Sequence, residues 1–242
     1  MNVSATSSLL PPPLPGMQDL VAGGLYRREM PGVAQSTLVV PESLSALFPG
    51  GGIRKGSLLS IGPIAASCSV ALALAGEVTK SRGWVAVSGL PSLGLAAAVE
   101  MGVDLERLVL VPAPGAMWLE VTAALADGFD MILARPCIRV AQADARRLAA
   151  RVRQRGAVVV LVDPPDWPES PDLVLTVVGS RWEGLGNGYG CLSGRRIDIE
   201  LAGRRAKGQP LRRTLWLPAP PTRFGPDVSL RDTGSIVGAR PG

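Results

Sequence analysis

Two periodicities share this chain. From Ser57 to Val162, short apolar runs take turns with segments in which apolar residues recur every three or four positions. Ser57–Ile61 (SLLSI) reads as a buried strand that stops at Gly62-Pro63. Ser67–Lys80 carries Val70, Leu72, Leu74 and Val78 among alanines at helical spacing, with Gly83 beyond its end. The same reasoning predicts strands at Trp84–Val87, Arg107–Val111, Met131–Ala134 and Ala157–Val162. It predicts helices at Ser92–Met101, Ala116–Ala126 and Val140–Arg155, the last ending at Gly156. The run AVVVLV is almost wholly β-branched, which is the signature of a strand buried on both faces of a parallel sheet.

Strands separated by helices of this length imply βαβ units in a doubly wound α/β sheet. The rhythm changes after Asp163. Leu173–Val178, Arg195–Leu201 and Leu211–Leu217 read as strands without helices between them, with Gly203–Gln209 as a hairpin turn. In Arg195–Leu201, Ile197, Ile199 and Leu201 alternate with Arg196, Asp198 and Glu200. An antiparallel extension at one sheet edge is expected. The resulting division is an N-terminal arm over 1–40, a core domain over 41–222 and a flexible tail over 223–242. The arm holds Pro11, Pro12, Pro13 and Pro15. Its end, Ser36–Pro41 (STLVVP), suits a strand added to a neighbouring subunit, to a partner or to the chain's own core.

Composition narrows the chemistry. The 242 residues are 47% hydrophobic and 19% charged, enough for one well-filled core. Histidine is absent, which removes Ser-His-Asp and Cys-His catalysis and imidazole metal ligands. Cys68, Cys137 and Cys191 show no metal-ligand spacing, and a sparse odd count suits a reducing cytoplasm. No metal is expected. The N-terminus has neither the charged nor the apolar region of a signal peptide, and the apolar run Val70–Ala75 is far short of a membrane span. The formal charge of +5 permits an anionic partner.

The turn after the first of these strands stands where a phosphate-binding loop would sit. A working loop reads G-x-x-x-x-G-K-[ST]: glycines expose backbone N–H groups, lysine bridges the outer phosphates and the hydroxyl binds magnesium. Here Gly62 and Ser69 keep the first and last positions, but Ser67 replaces the second glycine and Cys68 the lysine. A thiol offers no cation, and loss of one preorganised donor costs roughly 10²–10³ in rate.

With those residues in view, Leu47–Ala134 resembles the RecA ATPase core almost without gaps. LFPGGGIRKGSLLSIGP resembles the approach to its phosphate loop, MGVDLERLVLVP the lead into its third core strand, and GFDMILARP its Walker B strand. The resemblance implies a RecA-like fold. It also places Leu90 where the catalytic glutamate would be, and Arg135 where the magnesium-binding aspartate would be. Among RecA relatives the pattern resembles the ImuA group, especially the actinobacterial ImuA′ type. That resemblance implies a pseudo-ATPase without a cofactor, in which ATP is not bound. It further implies an accessory role in the damage-induced mutasome and in translesion synthesis. ImuB is the implied direct partner, a DnaE-type polymerase an indirect one, and RecA and DNA further ones. The location implied is cytoplasmic, and nucleoid-associated after damage. A nucleotide-dependent recombinase and a SulA-type division inhibitor are the alternatives on the same fold.

Other features stay two-sided. Arg195, Arg196, Arg204, Arg205, Lys207, Arg212 and Arg213 make the C-terminal hairpin basic. They read either as a surface for DNA or an acidic partner, or as a charged edge that blocks aggregation. No aromatic residue interleaves them in sequence, so a base-stacking platform is not expected. The arginines of Val140–Arg155 read mainly as a solvated helix face. Ser180–Gly190 (SRWEGLGNGYG) reads as an exposed turn or a mobile DNA-binding loop, and Asp163-Pro164-Pro165-Asp166 as a strand-ending turn.

Overall fold

The computed structural model describes residues 36–62, 66–185, 190–204, 206 and 211–218. The expected alternation is present. Strand β3 (Leu58–Ile61) leads to helix α2 (Ser67–Lys80), β4 (Val85–Ser88) to α3 (Leu95–Glu100), and β5 (Leu108–Val111) to α4 (Trp118–Gly128). Then β6 (Met131–Ala134) leads to α5 (Gln142–Arg155) and β7 (Val158–Val162), followed by β8 (Leu173–Leu185), β9 (Gly190–Ala202) and β10 (Leu211–Leu217). The sheet has the order β10-β9-β8-β3-β7-β6-β4-β5. Strands β3 to β7 pair in parallel, β8 joins β3 in parallel, and β9 and β10 continue antiparallel. This is the RecA-like arrangement with an antiparallel C-terminal extension that the sequence implies.

The two sheet faces have separate cores. One buries Val70, Leu72, Leu74 and Val78 of α2 and Ala98 of α3 against Leu59, Val87, Leu133 and Val160. The other buries Trp118 and Ala126 of α4 and Ala145, Leu148 and Val152 of α5 against Ala86, Ile132, Val159 and Leu161. Every residue of β7 is buried, as its β-branched run requires. Helix α5 stops at Gly156, whose φ of 72° is the left-handed cap that glycine adopts without strain.

One open alternative is resolved, and two features depart from the sequence reading. Residues 37–39 form β1 (Thr37–Val39), which pairs antiparallel with β2 (Gly52–Arg54), joined through the short helix α1 (Glu42–Ser45). The STLVVP segment therefore packs on the chain's own core, where Leu38 and Val40 are buried. Three-residue strands are too short for a period to be counted. Helix α3 begins at Leu95 instead of Ser92, because Gly94 is still extended at φ −74° and ψ 113°. Strands β8 and β9 run well past the apolar stretches that announced them. They pair with each other through Glu183 and Leu185, with register shifts at Val177/Gly179 and Glu183/Leu185. Ser180–Leu185 and Gly190 are thus strand, not loop. Residues 186–189, most of the N-terminal arm and the tail from 223 lie outside the described residues. No helix among the described residues is long and apolar enough to cross a membrane.

Candidate functional site

Parallel pairing brings the ends of β3, β4, β6 and β7 to one corner. Ile61 pairs with Val162, and Ala134 with both Leu161 and Ser88. Gly62, Arg135 and Asp163 follow those strand ends, and α2 starts beside them. The Gly62 N–H donates to Leu175 O (3.0 Å), Asp163 N–H to Ile61 O (3.0 Å) and Arg135 N–H to Ser88 O (2.9 Å), so the backbone of the corner is fixed by the sheet. At the start of α2, Ala66 supplies no side-chain cap. Ser67 is buried and its hydroxyl donates to the Gly62 carbonyl, which ties the helix start back to the strand end. Cys68 is exposed and Ser69 half-buried.

Arg135 does not project freely into this corner. Its guanidinium lies 2.8 Å from the Asp163 carboxylate, with the two side chains 48% and 35% exposed. Asp163 sits at φ 46°, in the strand-ending turn that the Asp-Pro-Pro-Asp run announces. The Cys68 thiol belongs to the same cluster. Although the residue as a whole is exposed, partial desolvation of the sulfur pushes its pKa above the ordinary thiol value; the Arg135 charge opposes that rise and the Asp163 charge adds to it. A thiol held protonated is a poor nucleophile. The corner therefore contains a closed ion pair, a thiol and two hydroxyls. Among the described residues no three His, Cys, Asp or Glu side chains come together as metal ligands.

Leu90 is 7% exposed and belongs to the apolar core beneath α2. The side chain at the position matched to the water-positioning glutamate thus packs inward. Gly89 precedes it at φ 79°, and a Cβ there would sit 2.2 Å from the Arg135 carbonyl and 3.1 Å from the Trp118 indole. The ends of β4 and β6 are therefore drawn together too closely for any other residue.

The basic residues of the extension separate into different environments. Arg195 is buried; its Nε donates to Ser180 Oγ (2.5 Å) and its guanidinium lies 5.1 Å from the Trp182 ring centroid. Arg212 pairs with Glu200 (2.6 Å), and Arg204 donates to Ser170 O (2.9 Å) beside Asp172. Arg213 is exposed and donates to the Arg212 carbonyl. Arg196 is exposed on the opposite face from Arg195. Arg205 and Lys207 lie outside the described residues. On α5, Arg146 pairs with Glu169, Arg147 with Asp144, and both Arg151 and Arg155 with Asp127 of α4, so most of these arginines brace the surface.

Sequence reasoning did not single out Asp163 as a partner of Arg135, since 28 positions separate them. It also passed over Arg181 and Trp216. Strand register sets both beside Arg196: Arg181 pairs with Arg196, and Arg196 with Trp216. The expectation that no aromatic residue interleaves the basic ones fails in three dimensions.

Comparison with known proteins agrees with this architecture. The model of a family described as MT3502 N-terminal domain matches residues 46–169, just over half of the chain. The uncharacterized protein Rv3395c of Mycobacterium tuberculosis is 37% identical over 178 residues, covering 66% of this chain and 87% of the relative. Among solved structures, the crystal structure of the RadB recombinase aligns with a TM-score of 0.50 at 16% identity, over 72% of this chain and 92% of that one. At that identity the likeness speaks for the fold. The chain belongs to the MT3502 N-terminal domain family and has a RecA-like fold.

Proposed function

We propose that this protein is a non-catalytic RecA-like adaptor of the DNA-damage-induced mutasome. In this reading it supports translesion synthesis and induced mutagenesis by binding ImuB, with RecA, an error-prone DnaE-type polymerase and DNA as further members of the assembly. The observation that carries the reading is the Arg135–Asp163 ion pair. A cation neutralised by the nearest carboxylate occupies the corner where a RecA-type ATPase needs an aspartate and a magnesium ion. Cys68 and Leu90 supply neither a phosphate cation nor a water-positioning base. The surrounding strand and helix pattern is intact, and a preserved shape without its chemistry suits recognition by partners.

The test of the partner is binding between purified full chain and purified ImuB. A saturable complex that survives omission of ATP and magnesium is the expected result. No complex with ImuB, together with co-purification of a cell-division protein, would point to the SulA-type alternative. Tight magnesium-dependent ATP binding would favour the nucleotide-dependent recombinase.

A further inference from the structure

Residues 173–217 carry eight Lys and Arg against three Asp and Glu, so the whole formal charge of +5 resides in the C-terminal extension. The helices α4 and α5 cover β4, β6 and β7 on their side of the sheet. On the same side, β8, β9 and β10 present Arg181, Arg196 and Trp216 to solvent, with Trp216 36% exposed.

These three residues form one cross-strand row. Arg181 stands directly opposite Arg196, and Arg196 directly opposite Trp216. Directly opposed residues have Cβ atoms about 5 Å apart, and like charges at that spacing destabilise a sheet. Among the described residues neither guanidinium meets a carboxylate at ion-pairing distance. Of the acids on this face, Glu200 takes Arg212 at 2.6 Å and Asp198 accepts from Thr214 Oγ1 at 2.5 Å, while Glu183, opposite Gly194 and next along the face, forms no ion pair with either arginine. Trp216 leans over Gly194, where a Cβ would come within 3.3 Å of its ring, so a glycine makes room for the indole to lie against β9. Two opposed cations beside a supported, exposed aromatic ring match an unpaired nucleotide: phosphate on the arginines, base on the indole.

We propose that the Arg181–Arg196–Trp216 row on the outer face of β8, β9 and β10 binds single-stranded DNA. This deepens the adaptor reading by naming the surface through which such a subunit would meet unpaired DNA. The arginine pair contacts the backbone and sets the salt dependence. Trp216 stacks on a base without choosing its identity. Arg195, on the other face and engaged by Ser180 and Trp182, has no part in it.

The test is fluorescence anisotropy of a labelled oligothymidylate of roughly 30 nucleotides with the full chain across a salt series. Arg181→Ala/Arg196→Ala is expected to weaken binding about 10- to 100-fold and to flatten the log–log salt dependence by about one to two. Trp216→Ala should weaken binding about tenfold, and Trp216→Phe should restore most of it. A control, Arg139→Ala/Arg147→Ala, removes the same charge elsewhere and should leave affinity within about twofold. Because the double variant relieves repulsion, its melting temperature should equal or exceed that of the parent, which separates loss of binding from loss of fold. Absence of binding by the parent protein overturns the proposal. So does undiminished binding by the arginine variant, or equal weakening by the control. If the arginine variant instead loses ImuB while keeping the oligonucleotide, the row is a protein-docking surface and the DNA proposal fails, with the adaptor reading intact.

Discussion

The Arg135 guanidinium lies 2.8 Å from the Asp163 carboxylate and bridges the turns that follow β6 and β7. Both side chains are partly exposed, so the pair contributes well under 1 kcal/mol to stability. Its consequence is electrostatic and local. It fixes the sign of the charge that each neighbour of the corner feels, and Cys68 is the neighbour that reports it.

Cys68 should alkylate more slowly than a free thiol at neutral pH, because burial raises its pKa and leaves less thiolate. Arg135→Ala removes the lowering influence and should slow the reaction further. Asp163→Asn removes a raising influence and should speed it. Iodoacetamide labelling followed by peptide mass spectrometry reads Cys68 apart from Cys137 and Cys191. The same shift makes the folded state hold a proton that the unfolded chain releases at lower pH. Stability from this group is therefore complete below the ordinary thiol pKa and is lost as pH rises through the raised value. Cys68→Ala should remove that loss in urea titrations at alkaline pH.

Leu90→Glu restores the residue type of an active RecA-type site, yet it should harm this protein. The position is buried in the core, and a carboxylate there has no partner provided for it. A destabilisation of about 3 kcal/mol, measured by chemical denaturation, is expected, with no gain in ATP hydrolysis. A stable variant that hydrolyses ATP would show that the site is closer to active than its residues suggest.

Gly89→Ala should cost roughly 3 kcal/mol or more. The left-handed backbone at φ 79° disfavours any Cβ, and the Arg135 carbonyl at 2.2 Å leaves no space for one. Thermal unfolding by circular dichroism measures it. A neutral substitution would mean that the β4 and β6 ends lie further apart than described.

Much of this architecture was legible in the chain. Ser67–Lys80 and Met131–Ala134 have the bounds that the apolar spacing indicated, because those segments are long or fully buried and period alone decides them. Cys68 was readable from the turn that follows the first core strand, whereas Leu90 and Arg135 were placed by the resemblance to the RecA core. What the sequence could not deliver depends on register. Arg195 and Arg196 are adjacent and chemically alike, yet pairing turns one toward Ser180 and Trp182 and the other to solvent beside Arg181 and Trp216. Asp163 was visible only as part of a turn, since its partner is brought to it by the sheet. The STLVVP strand was legible but its destination was not, because its partner β2 carries too few residues to register as a pattern.

That division gives a prediction of its own. Arg195→Ala should destabilise the extension by about 1–2 kcal/mol, because it removes a part-buried hydrogen bond to Ser180 and the contact with the Trp182 ring. Arg213→Ala, at an exposed position, should stay within about 0.5 kcal/mol of the parent. Hydrogen exchange along β8 and β9 distinguishes the two. Equal effects would remove the distinction between a structural and a surface arginine.

The central claim is that a RecA-like scaffold has been kept for binding while its hydrolytic corner has been closed by the Arg135–Asp163 pair. It is tested most directly by steady-state ATP hydrolysis of the purified full chain with magnesium and single-stranded DNA. The account predicts a background rate that DNA does not raise and that Ser69→Ala does not lower. Hydrolysis stimulated by DNA and abolished by Ser69→Ala would contradict it.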